Sequence, residues 1–352
     1  DGHRSMTGVA EARESTQAAA AAPLISLRGV RVVRGGRPAL DGVDFQVRRG
    51  ECVAVLGPNG AGKSTLLRVL SLIEPPDAGI VAWDGFGASE DRLAARRRIG
   101  TVAQDPFLFA GSALDNVVEG LSYRGVPRVE AERRAGEALA ACGATAFSAR
   151  RARELSGGEA RRVAIARAIV TGPELLLLDE PLAHVDERTG EDLLALFASF
   201  PPRGTAVVVA THELSEAVRL AGRVFALRAG KSDPGGTENL LLGDVMEEGG
   251  MHWFVHASGV RLAVATTRTG RAGARVEPEE ILLSAEPIHS SARNCLAGTV
   301  VGVEEGDPVT RVRVDVGVTV VAHVTPQSVR EMGIVGGTRL YVTFKATAVR
   351  VV

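Results

Sequence analysis

Lysine is almost missing from this chain. Of 41 Lys and Arg residues, only Lys63, Lys231 and Lys345 are lysine, and the other 38 (41 − 3) are arginine. Where a generic positive charge suffices, arginine has been used. A retained lysine therefore marks a place that a planar guanidinium does not fit and a compact ammonium does. Cysteine is equally sparse. Cys52, Cys142 and Cys295 lie far apart with no C-x-x-C pair, which speaks for a reducing compartment and against a disulfide scaffold or zinc site. Apolar runs are short: Leu175–Leu178 and Ala206–Ala210 are strand-sized, and none approaches the roughly 20 residues that span a bilayer. The net charge is −1 with no lysine-rich tail, so no general attraction to nucleic acid is expected. Residues 1–23, rich in Ala, Ser, Glu and Arg without a signal-like apolar core, are read as a disordered tail in which Met6 is a candidate start.

What is present begins at Lys63. Gly57-Pro58-Asn59-Gly60-Ala61-Gly62-Lys63-Ser64-Thr65 fits the phosphate-cradling pattern G-x-x-x-x-G-K-[ST]. An ammonium there enters a ring of backbone amides and reaches the β- and γ-phosphates of a nucleotide. The loop follows a β-prone apolar run, Glu51–Leu56, and precedes a leucine-rich helical stretch from Ser64 to Ile73. Strand, glycine loop and helix together form the setting in which a helix N-terminus receives phosphate.

A length of 352 residues predicts two domains or three. Two strands, 25–33 and 39–47, are expected around a turn at Gly35-Gly36, with another strand at 80–83. Residues 105–158 change to a helical texture. A helix at 158–170, a buried strand at 175–179, a helix at 190–200 and a strand at 206–210 then follow. That alternation predicts an α/β fold, a parallel sheet with helices on its faces, interrupted by a helical insert. The glycine-rich stretch 229–236, which holds Lys231, marks a boundary. Beyond it, alternation such as Arg311–Val320 predicts a small all-β domain. The expected divisions are 24–236, a strand-rich connection at 237–289, and a barrel at 290–352.

Four apolar residues, Leu175–Leu178, end in Asp179 and Glu180. Asp179, at a strand end beside the loop, can hold Mg²⁺ with Ser64, and Glu180 is placed to polarise a water toward the γ-phosphate. Alone, this segment would read by default as a buried strand capped by surface acids. Gln104 follows the strand-like Ile99–Ala103, and His212 follows Ala206–Ala210, at the strand ends where open α/β sheets bind ligands. Leu155-Ser156-Gly157-Gly158-Glu159 provides a second anion-binding helix start.

Taken together these motifs resemble the ATPase subunit of an ATP-binding-cassette (ABC) transporter over residues 24–236. The matching parts are the Walker A loop 57–65, Q-loop Gln104, signature 155–159, Walker B 175–180, D-loop Asp186 and switch His212. The resemblance implies ATP and Mg²⁺ as cofactors, with Ser64, Gln104 and Asp179 toward the metal. It implies a head-to-tail homodimer in which Ser156, Gly157 and Gly158, followed by Glu159, meet the nucleotide held by the other copy. Glu180 would serve as general base, His212 would steady the γ-phosphate, and Lys63 and Gln104 complete the catalytic set. Pro106–Phe109 would line a groove for a membrane subunit, or else belong to the core of the insert. Arg34 stands where the family usually places an aromatic on adenine, Glu159 replaces the commoner glutamine, and the stretch before Asp186 reads Ala183-His184-Val185.

Residues 290–352 resemble the mop (TOBE-like) module of molybdate- and tungstate-importer ATPases, through 291–298, 322–328 and 344–349. Ser291, Arg293, Thr325, Ser328 and Lys345 are then the candidate oxyanion ligands. The resemblance implies an importer ATPase, peripheral on the cytoplasmic face of the membrane. Its partners would be integral-membrane permease subunits and a periplasmic or lipoprotein oxyanion-binding protein, with tungstate or molybdate as regulatory ligand. Open alternatives are an importer for sulfate, iron, polyamine or sugar with a purely structural barrel, a non-transport cassette ATPase, or an oxyanion storage or sensor protein.

Overall fold

The fold is that of a computed structural model, which describes residues 23–84, the backbone of 86–87, 92–183 and 185–352. The tail expected at 1–23, apart from Pro23, and His184 lie outside the described residues. Two compact units are present: one runs through Glu213 and takes in Leu220–Ser232, and the other holds Asp233–Val352 with Leu214–Arg219. The division falls within the glycine-rich stretch 229–236.

In the first unit β1 (Ile25–Arg34) and β2 (Arg37–Val47) form a hairpin. Gly35 and Gly36 supply the positive φ angles, 55° and 76°, that a two-residue turn demands. After β3 (Cys52–Leu56) and α1 (Lys63–Leu70), β4 (Ala78–Trp83) and β5 (Phe86–Gly87) complete a four-stranded antiparallel sheet in the order β2-β1-β4-β5. Then come α2 (Arg92–Arg97), β6 (Ile99–Val102) and the insert helices α3 (Ala113–Ser122), α4 (Arg128–Ala141) and α5 (Gly157–Ile169). β7 (Leu175–Asp179), α6 (Glu187–Ala198), β8 (Ala206–Thr211), β9 (Arg223–Arg228) and β10 (Lys231–Ser232) close the series; α7 (Leu214–Leu220), between β8 and β9 in the chain, falls to the second unit through Arg219.

Every residue of β7 and β8 is buried. Unbroken apolar runs of this kind are covered on both faces, as parallel strands are. They lie in a six-stranded sheet ordered β10-β9-β3-β8-β7-β6, parallel except for β10. One apolar core, including Leu66, Leu70, Leu175 and Val208 with Ile25 and Val43, joins both sheets. α4 buries Ala131, Ala135, Ala138 and Leu139, a helical stripe, and packs with α3 and α5. No helix among the described residues is long and apolar enough to cross a membrane. Cys52 and Cys142 are buried, and burial pushes both thiols up to about 12.

Apart from Leu214–Arg219, which are six of the seven residues of α7, the second unit is β structure with short helical segments. β11 (Leu240–Glu248), β12 (Met251–His256), β13 (Arg261–Val264) and β14 (Gly270–Val276) form one antiparallel sheet, completed by the C-terminal β20 (Val349–Val351). β15 (Leu282–Ser284), β16 (Asn294–Glu304), β17 (Thr310–Asp315), β18 (Thr319–Val324) and β19 (Arg339–Phe344) form the other, with helix α8 (Pro326–Glu331) between β18 and β19. Residues 237–289 thus contribute five strands, and their Val245, Phe254 and Leu262 share one core with Val312, Leu340 and Val342. Two buried asparagines act as substitute strand edges. Asn294 bonds the N–H and C=O of Ala263 (2.7 and 3.0 Å), and Asn239 those of Val321 (2.7 Å each).

Candidate functional site

The C-terminal ends of β3, β6, β7 and β8 lie along one edge of the parallel sheet, where ligands of open α/β folds collect. Gly57 leaves β3 with its N–H donating to the Thr211 carbonyl at 3.3 Å. A Cβ at Gly57 would lie 2.3 Å from the Leu227 carbonyl oxygen, and one at Gly62 would lie 2.5 Å from that of Ala39. Gly62 also has φ 107°. Only glycine fits either position. The first turn of α1 then presents backbone N–H groups that have no partner within the helix. Lys63 is 6% exposed, and its ammonium donates to the carbonyls of Gly57 (2.7 Å) and Pro58 (3.4 Å).

The acids come from the end of β7. Asp179 is buried, with Oδ1 lacking any hydrogen-bond partner. Burial raises its pKa above the ordinary carboxylate value, and the Ser64 hydroxyl bond and the Lys63 charge oppose that rise. Glu180 follows with φ 49°, a left-handed conformation that costs a non-glycine residue on the order of 1–3 kcal/mol. Its carboxylate lies 3.3 Å from Lys63 Nζ and 3.0 and 3.1 Å from His212 Nδ1. His212, at the end of β8, keeps half its side chain exposed.

A cleft of about 300 Å³ opens here, lined by Ala39, the loop Pro58–Thr65, Gln104, Asp179 and Glu180. Most of the expected nucleotide residues converge on it, and His212 joins through Glu180. Gly57 lies just outside the lining, and Arg34, Asp186 and the stretch Ser156–Glu159 stand away from it. Arg34 is paired with Glu74. Asp186 caps α6 by accepting from the Thr189 N–H at 3.0 Å, a bond that holds its carboxyl below the usual range. Ser156 and Glu159 form a reciprocal cap at the start of α5 (3.3 and 2.8 Å), and Glu159 also meets Arg150 at 2.8 Å. A carboxylate at 159 is therefore well placed: it closes the capping box and complements the helix N-terminus.

Phe107 and Phe109 are 73% and 45% exposed and meet edge to face at 5.6 Å. They border a groove of about 720 Å³ that runs along Pro106–Ser112 and past Arg151 and Arg153. Both rings are surface features, not core of the insert.

The expected oxyanion residues fall into two sets. Asn294 pairs with Phe344 in the register of β16 and β19, which sets Arg293, with Ser291 two residues before it, beside Lys345 at one end of the sheet. Thr325 follows β18, whose Val324 pairs with Thr310 at the other end of the 11-residue β16. Thr325 caps α8, its hydroxyl accepting from the Ser328 N–H at 3.1 Å.

Sequence reasoning missed Arg161. It is 5% exposed and donates to the carbonyl oxygens of Glu180 and, at 2.5 Å, Gln104. The signal was present: the helical period puts Arg161 on the same face as the buried Ala164, Ile165 and Ala168. Its neighbour Arg162, one position round the helix, instead covers the ring of Phe147.

Comparison with known proteins identifies the family. A family profile described as "ABC transporter" matches residues 40–183, and one described as "TOBE domain" matches 290–351. The molybdate/tungstate import ATP-binding protein WtpC of Pyrococcus abyssi is 33% identical over 326 residues, 88% of this chain and 94% of that protein. The Fe(3+) ions import ATP-binding protein FbpC of Streptomyces coelicolor is 42% identical over 216 residues, 61% of this chain and 62% of that protein. Among solved structures, the dimeric post-hydrolysis state of the ATP-binding cassette MJ0796 bound to ADP and Pi matches with TM-score 0.57 and 32% identity. That match covers 59% of this chain and 96% of the cassette. With its phosphate loop, paired acids and C-terminal β unit, the chain belongs to the ABC transporter family, as an ATP-hydrolysing subunit whose cassette is followed by a TOBE domain.

Proposed function

We propose that this chain energises import of molybdate or tungstate, working as a pair of copies on the cytoplasmic face of the membrane beneath permease subunits. A periplasmic or lipoprotein oxyanion-binding protein would deliver the anion. The observation that carries the hydrolytic part is the Glu180 carboxylate, held between Lys63 (3.3 Å) and His212 (3.0 Å) beside the cleft.

In this reading the amides of 58–65 and the Lys63 ammonium receive the β- and γ-phosphates of ATP. Ser64 and Asp179 fit a Mg²⁺ ion, because Asp179 offers a buried carboxylate oxygen with no partner beside the Ser64 hydroxyl; Gln104 lines the same cleft. Mg²⁺, when bound, offsets the charge of the phosphate oxygens. Glu180 takes a proton from the water whose oxygen bonds to the γ-phosphorus. The bond from that phosphorus to the β–γ bridging oxygen breaks, leaving ADP and inorganic phosphate. His212 holds the Glu180 carboxylate in line and lies near the γ-phosphate. Ser156, Gly157 and Gly158, which lie off the cleft of their own copy, would reach the nucleotide of the second copy, with Asp186 at the same junction. Arg34, steadied by Glu74, would lie against the adenine. The Phe107–Phe109 groove fits an apolar segment of a permease.

The cargo reading rests on the relative whose similarity continues through the C-terminal unit, since the iron-import relative matches over only 61% of this chain. In the all-β unit, Ser291, Arg293 and Lys345 at one end and Thr325 and Ser328 at the other favour oxyanion sites completed by a second copy. Isothermal titration of the full chain with tungstate, molybdate and sulfate tests this. Saturable binding of the first two and none of sulfate is expected. No binding, or equal binding of sulfate, would turn the reading toward another cargo with a structural C-terminal unit.

A further inference from the structure

Arg161 connects α5 to two parts of the cleft, at Gln104 and Glu180, that are far apart in sequence. It rises from α5, five residues after the Ser156 cap, and is almost wholly buried. One guanidinium nitrogen donates to the carbonyl oxygen of Glu180 and another, at 2.5 Å, to that of Gln104. The Glu180 backbone needs such support. Its φ is 49°, its N–H donates to Ala210 at 2.9 Å, and its carbonyl also accepts from the Ala183 N–H at 3.2 Å. These bonds fix the turn from which the Glu180 side chain reaches Lys63 and His212. The partners of Arg161 are main-chain atoms, so the guanidinium acts on where Glu180 sits and leaves its carboxylate free to react.

We propose that Arg161 is a positioning residue for ATP hydrolysis. Its planar fork locks the Glu180 turn and the Gln104 loop to α5, so that the helix start at Ser156–Gly158 and the water-activating carboxylate move as one piece. A lysine keeps the charge but has no rigid fork with which to span two carbonyls at once. The inference rests on Glu180 acting as the base, and the experiment separates the two.

Steady-state and single-turnover hydrolysis are measured for the wild type, Arg161→Lys, Glu180→Gln and the double variant. A small displacement of a catalytic group costs up to about 100-fold. Arg161→Lys is therefore expected to lower kcat about 10- to 100-fold while KM for ATP changes less than about threefold. In the Glu180→Gln background the same substitution should lower the residual rate no further. An unchanged kcat, or the same fold loss in both backgrounds, overturns the positioning role. If Glu180→Gln alone turns over like the wild type, the base assignment is what fails. Should Arg161→Lys not fold, hydrogen exchange of the wild-type chain decides. Segments 103–106 and 179–183 should gain protection together on adding ATP, and independent responses would contradict the coupling.

Discussion

Lys63 and Glu180 form an ion pair at 3.3 Å in which each side chain is less than a tenth exposed. The two partners are not equally replaceable. Lys63→Met leaves the Glu180 carboxylate with His212 alone, whereas Glu180→Gln keeps a neutral polar group between the same neighbours. An unpaired buried polar group costs about 1–3 kcal/mol. Urea denaturation should therefore show Lys63→Met destabilised by about that amount and Glu180→Gln by less. The reverse order would mean that the pair does not hold the site together.

Asp179 makes a prediction with a definite sign. Because burial raises its pKa, the folded chain takes up a proton at higher pH than the unfolded one. Ionised Asp179 thus weakens the fold above its folded pKa, and that cost disappears as pH falls through it. Asp179→Asn, neutral throughout, should raise the urea midpoint at neutral pH without nucleotide. The gain should shrink on acidification toward the ordinary carboxylate value. The same variant should lose the Mg²⁺ dependence of ATP turnover along with the turnover itself. A midpoint that falls at neutral pH would show that the carboxylate stabilises the fold.

Phe107 and Phe197 test the division between surface and core. Phe107 is 73% exposed and Phe197 fully buried. Truncating a buried phenylalanine to alanine costs about 3–5 kcal/mol, whereas surface changes stay within about 0.5 kcal/mol. Denaturation midpoints of Phe107→Ala and Phe197→Ala should differ accordingly. Comparable losses would return Phe107 to the core and remove the groove as a docking surface.

Local patterns made much of this molecule readable beforehand. The phosphate loop is contiguous, and Leu175–Leu178 and Ala206–Ala210 are unbroken apolar runs whose ends carry Asp179 and His212. What stayed hidden depends on contacts distant in sequence. Arg161 and Arg162 look alike until one finds carbonyls at Gln104 and Glu180 and the other an aromatic ring. Residues 237–289 read as a connection because β14 pairs with β20 and β15 with β19, across most of the unit. The candidate oxyanion residues form one list in the sequence and two groups in space, which only the register of β16 with its neighbours reveals. Glu159 looked like a departure from pattern until its bonds to Ser156 and Arg150 were visible.

The central claim is that Glu180 hydrolyses ATP in a cleft completed by a second copy. Glu180→Gln with MgATP, followed by size-exclusion chromatography with light scattering, tests it most directly. Loss of the base should slow turnover by about 10²- to 10⁴-fold while ATP stays bound. The 36.8 kDa chain should then elute at twice its mass with ATP and at its own mass with ADP. A variant that hydrolyses ATP at the wild-type rate, or that binds ATP and remains a single chain, would contradict the account.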